Sequence, residues 1–157
     1  MLHAMIFTLA IAAGCPMHDQ HMKEAAHAVD QRHDTFGMSH SESRHTFRLL
    51  KDGGAIELRA TNDDAKTVDA IREHLRTIAT DFKRGDFSKP YFVHERVPDG
   101  VETMKKLGDA IRYEFEEVKE GGRVRITTRN AEALRAVHAF LRFQIEDHRT
   151  GDGGKVE

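Results

Sequence analysis

The chain has 157 residues, 39% hydrophobic and 32% charged, which is one domain's worth of sequence with enough apolar content for a single core. Its 24 Lys and Arg against 26 Asp and Glu leave a formal net charge of -2, excluding the global positive field that draws proteins onto duplex nucleic acid. One cysteine cannot form an internal disulfide, three prolines are too few for a Pro-rich linker, and the eleven histidines are the unusual feature of the composition.

Residues 1–14 contain no Asp, Glu, Lys or Arg, and residues 4–13 are apolar apart from one Thr. Such a run is too short to span a bilayer as a helix. It matches the apolar stretch and small-residue cleavage zone of a secretory signal. Ile11-Ala12-Ala13-Gly14-Cys15 resembles the lipobox of bacterial lipoproteins, in which the cysteine becomes the lipidated first residue; the alternative is a cut near Ala13 with Cys15 a free thiol. Either reading predicts export to the periplasm or cell envelope, with a lipid anchor as the one tie to the membrane.

Residues 15–44 hold five of the histidines and three methionines, Met17, Met22 and Met38. Apolar periodicity is absent there except for a short helix expected over 22–29, so the segment reads as a flexible or loosely docked arm.

The folded part is expected over 45–152, with a short tail at 153–157, and it contains an internal repeat. Residues 47–62 lie over 115–130, sharing Phe, Lys, both Gly and Asn, and residues 70–86 lie over 136–152, sharing Ala, Leu, Arg, Asp, Gly and Asp. The two copies span about 45–86 and 111–152, joined by a connector at 87–110. Each reads as strand, Gly-Gly turn, strand, helix. Phe47, Leu49, Ile56, Leu58 and Ala60 in the first copy, and Ile111, Tyr113, Phe115, Val124 and Ile126 in the second, alternate as half-buried strands do. Gly53-Gly54 and Gly121-Gly122 are expected to give the hairpin turns their positive φ. Asn62 or a following Asp, and Asn130, are the expected helix N-caps. Val68, Ile71, Leu75, Ile78 and Phe82 form one apolar stripe, and Leu134, Val137, Leu141, Ile145 and His148 the other, with Gly85 and Gly151 as stops. In the connector, Tyr91-Phe92-Val93 is a short apolar run and a brief helix is expected from Glu102 to Leu107. The predicted fold class is α+β: a duplicated ββα unit forming a four-stranded antiparallel sheet with two helices on one face.

Gly37-Met38-Ser39-His40, His45-Thr46-Phe47, Asp52-Gly53-Gly54, Ile71-Arg72-Glu73-His74-Leu75 and above all the run from Leu134 to His148 resemble a family of small exported bacterial proteins without an established activity. Members of that family are often labelled aspartate carbamoyltransferase. The residues argue against that activity: such an enzyme has two α/β domains, is about twice this length, and carries a Ser-Thr-Arg-Thr phosphate turn that does not occur here.

The remaining chemistry is that of histidine. In the arm, His18, His21, Met22, Met38 and His40 combine imidazole with thioether, a ligand set suited to copper in either oxidation state. In the domain, His45 shares the inward face of Phe47, His138 lies beside the last apolar stripe and His74 at the margin of the first. If the sheet and helices bring these three together, they make a zinc or copper site with an empty fourth position. The alternative for each is a core-edge histidine bonded to backbone or to a carboxylate such as Glu73, Asp81 or Glu146. His94, beside Glu95 in the connector, reads as a surface turn residue. Arg123, Arg125 and Arg129 on the last strand make a basic sector, with Arg125 expected to pair across the sheet with Glu57. No nucleophile elbow, phosphate loop or His-Glu-x-x-His helix is present. The expectation is a non-catalytic binding protein for copper or zinc; the alternative is an envelope module that binds another protein or itself.

Overall fold

The computed structural model describes residue 24, residues 27–32 and 34–36, and residues 41–157. Four strands form one antiparallel sheet: β1 (Ser43–Leu50), β2 (Gly53–Ala60), β3 (Ile111–Val118) and β4 (Gly121–Thr128), in the order β1-β2-β4-β3. Two long helices, α1 (Ala65–Lys83) and α4 (Ala131–His148), cover one face, as the duplicated ββα pattern predicts. Between the copies lie α2 (Ser88–His94), α3 (Val101–Lys106) and a short 3-10 turn at Gly108–Ala110.

The copies meet at β2 and β4. Ile56 faces its repeat counterpart Val124 at the centre of that ladder, which places a pseudo-twofold axis between them. The ends of the ladder repeat the symmetry: Ala60 N–H donates to Glu120 O at 2.8 Å, and Thr128 N–H donates to Asp52 O at 2.9 Å. Each hairpin turn is thus tied to the far end of the other copy's second strand.

The expected positive φ is present at Gly53, at 149°, but not at Gly54, Gly121 or Gly122. The turns are made by Lys51-Asp52 and Lys119-Glu120, and in the second hairpin the positive φ belongs to Glu120, at 61°. Gly53 and Gly121 stand where the two hairpins cross: a Cβ would come 2.0 Å from Ile126 O and 2.0 Å from Leu58 O, respectively. Close backbone approach, rather than turn geometry alone, requires glycine here.

Asp64 and Asn130 cap the helices, accepting from Thr67 N–H and from Glu132 and Ala133 N–H, respectively. The α1 stripe is as expected, with Ile71, Leu75, Ile78 and Phe82 buried. On α4 the buried set is wider: Ala133, Ala136, Val137, His138, Phe140, Leu141, Phe143 and Gln144, while Leu134 and Ile145 are half-buried. The reason is a second covering layer. The connector packs against α4, close enough that a Cβ on Gly100 would lie 2.1 Å from Ala136 O. Val93, Val101 and Met104 are buried in that layer, and Tyr91-Phe92-Val93 belongs to a helix whose Tyr91 and Phe92 point outward.

On the other face of the sheet, Glu57 pairs with its cross-strand neighbour Arg123 at 2.8 Å and with Arg59 at 2.6 Å, not with Arg125. Arg125 reaches Asp52 in the turn at 2.6 Å, because its own cross-strand neighbour is Ala55. Burial of Glu57 pushes its carboxyl upward, but the two arginines outweigh this and hold it below the usual carboxylate range.

The domain also extends past both expected ends. Ser43 and Arg44 belong to β1; the Asp152 carboxylate accepts from Phe47 N–H at 2.8 Å, and Val156 bridges to Leu49 in parallel. Of the arm, residues 27–32 are helical, Val29 is buried, and Arg32 Nε donates to Val93 O at 2.6 Å. These residues are docked on α2.

Candidate functional site

Between α1 and α4, above β1 and β2 and beside α2, lies a cleft of about 60 Å³. Its floor is apolar, made by Phe47, Ile56, Leu58, Ile78, Phe82 and Phe140. Its walls carry four histidines from four elements: His45 on β1, His74 on α1, His94 on α2 and His148 on α4. The His45 and His148 rings stack at 5.1 Å with planes 14° apart, and His94 meets His148 edge-on at 5.0 Å. Phe36 of the arm closes one side, with its ring 5.6 Å from that of His74.

His94 ends α2 and is pinned at both ring nitrogens. Nδ1 hydrogen-bonds Asp147, and Nε2 donates to Gln144 Oε1 at 3.0 Å. Asp147 also accepts from Arg96 at 3.0 Å, and Arg96 lies over the Phe143 ring. Burial pushes the Asp147 carboxyl upward, but His94 and then Arg96 outweigh that and hold it below the usual range. With carboxylate on one side and amide carbonyl on the other, both ring nitrogens are engaged, which fixes the orientation of the ring. Among the described residues the Gln144 amide nitrogen is buried without a hydrogen-bond partner, a state that costs about 1–3 kcal/mol when nothing fills it.

The internal repeat supplies a comparison within the molecule. The counterparts of His45 and His148 are Tyr113 and Phe82, which pack edge-to-face at 5.7 Å inside the core, backed by Phe87. The counterpart of Gln144 is Ile78, and that of His74 is Phe140. In each of these four repeat-related pairs, one member is hydrophobic and the other is an imidazole or an amide that lines the cleft.

The expected triad divides. His45 and His74 line the cleft together, but His138 sits at the opposite end of β1, with Nε2 within 2.9 Å of Leu50 O and 3.0 Å of Gly53 O. It ties α4 to the first hairpin and is not part of the site. His94 is no surface turn residue, since its side chain is 1% exposed. Periodicity could not find it, because α2 is too short to show a stripe; the Asp147 partner lies 53 positions away. His148 was marked by the stripe, whereas Gln144 lies off it, beside His94 of the connector. His18, His21, Met22, Met38, His40 and Cys15 lie outside the described residues. Among the described residues, no three His, Cys, Asp or Glu side chains are placed so that together they could hold a metal ion, and no helix is long and apolar enough to cross a membrane.

No family model, curated protein or solved structure matches the chain.

Proposed function

We propose that the chain is an exported, non-catalytic binding protein of the cell envelope, and that His45, His74 and His148 hold its ligand, a transition metal ion, with copper ahead of zinc. The observation that supports this reading is the contrast between repeat-related positions. Imidazoles occupy positions that the same fold fills with Tyr113, Phe140 and Phe82, so the fold itself does not demand them. Imidazole is the ligand type these metals share. His94 has both nitrogens engaged and acts as the inner wall rather than as a ligand. The His45 and His148 rings lie stacked at 5.1 Å, so holding a common ion requires them to turn out of this arrangement. Export rests on residues 1–14, and lipid attachment on Cys15.

The test is metal stoichiometry and competition affinity of the full chain with Cu(II) and Zn(II). The reading requires about one tightly held ion, lost in His45→Ala with His148→Ala and kept in His138→Ala. Loss in His18→Ala with His21→Ala and Met22→Ala would move the site to the arm. Metal indifference combined with concentration-dependent assembly would favour the other reading, an envelope interaction module, for which Tyr91, Phe92 and Val97 offer exposed apolar surface at 55%, 48% and 51%.

A further inference from the structure

We infer that two copies of this chain join along β3, antiparallel and about a twofold axis at Tyr113, so that Arg112 of each faces Glu114 of the other. The inference stands apart from the metal reading, since no histidine takes part.

Backbone, charge and shape carry it. Val118 pairs with Gly121 across the turn, so the even-numbered residues of β3 spend their backbone groups on β4 and the odd-numbered ones turn theirs outward. Ile111 N–H is taken by Gly108 O, and among the described residues nothing bonds the outward N–H and C=O groups of Tyr113, Phe115 and Glu117. Charge sets the occupant and the register. Arg112 and Glu114 are exposed on the face away from the helices, and among the described residues neither has an ion pair: the β4 neighbour of Glu114 is Arg125, committed to Asp52, and that of Arg112 is Thr127. With the axis at Tyr113, Arg112 and Glu114 of the two copies meet at positions where the side chains of facing strands come closest. An axis at Glu114 or at Arg112 sets that residue against its own copy, and an axis at Phe115 sets Glu114 against Glu116. Glu117, next to Asp109 of the second copy in the favoured register, is already matched by Arg72 and Arg76. Shape agrees on the inward face, where Phe115, half-buried beneath the Arg76 guanidinium, falls opposite Ile111 of the second copy.

Sedimentation equilibrium of the full chain in EDTA, which removes metal bridging between copies, reads the dimer. The expected dissociation constant is roughly 10–100 µM, the weak range of a small interface. Arg112→Glu alone and Glu114→Arg alone put like charges face to face and should each weaken the dimer at least about tenfold, and the two together should restore it. Both positions are exposed, and unchanged circular dichroism checks that the variants fold. Hydrogen exchange adds the location: the Tyr113 and Phe115 amides should slow as concentration rises, while those of Arg112 and Glu114, bonded to β4, stay as they are. A monomer up to about 1 mM overturns the inference. So does a dimer that ignores the charge changes or is not restored by the double swap. Protection at Tyr91, Phe92 or Val97 in place of Tyr113 overturns it too, and puts the contact on the connector.

Discussion

Ile56 and Val124 face each other across β2 and β4, and each is the other's counterpart in the internal repeat. The relationship makes one half of the molecule a template for substitutions in the other. His45→Tyr together with His148→Phe rebuilds the Tyr113 and Phe82 pair, which the backbone already accommodates at 5.7 Å between rings. The double variant should melt at or above the temperature of the parent and lose the metal. A steep drop in thermal midpoint would show that the histidines serve packing instead.

Gly121→Ala should destabilise by about 3 kcal/mol or more, because its Cβ would meet Leu58 O at 2.0 Å and neither backbone can yield without breaking the β2–β4 ladder. Gly108→Ala, with open space around it, should change stability by about 0.5 kcal/mol or less. Urea unfolding of the pair checks the contrast.

His138→Ala removes the donor shared by the Leu50 and Gly53 carbonyls. A loss of about 1–3 kcal/mol in urea unfolding is expected, with metal binding intact. A loss of metal would return His138 to the site.

Asp147 and Glu57 both have carboxyls held below their ordinary values in the folded state. The unfolded chain therefore binds protons at a higher pH than the folded one does. The stability each contributes is fully present above the unfolded value of about 4 and is lost as pH falls through the lowered folded value. Asp147→Asn and Glu57→Gln should each flatten the fall in stability below about pH 4, measured as urea midpoints across the acid range. An unchanged slope would mean that the ion pairs add nothing to folding.

The architecture was readable because repetition reinforced each local signal. Alternation named the inward strand residues twice, and Asp64 and Asn130 began their helices at equivalent positions. Alternation gives a face but no position along a strand. His45 and His138 accordingly looked like neighbours, although one stacks on His148 and the other bonds to the β1–β2 turn. The Glu57 and Arg125 pairing failed for a related reason: the β2–β4 register puts Arg123 opposite Glu57. His94 and Gln144 were illegible because their environment is made by the connector, which has neither a repeat nor a stripe. Their burial follows from where α2 lands on α4, a matter of tertiary packing.

The two margins of the sheet are unequal. Along β1, the Phe47 amide is taken by Asp152, and the Leu49 carbonyl accepts from Glu157 N–H at 2.9 Å. Along β3, the described residues provide no such cover. Were copies to join strand to strand, the β3 margin is the one that the described residues leave open to it. Two molecules joined there would present only their tail-covered β1 margins, so the sheet can double but cannot propagate into a fibre.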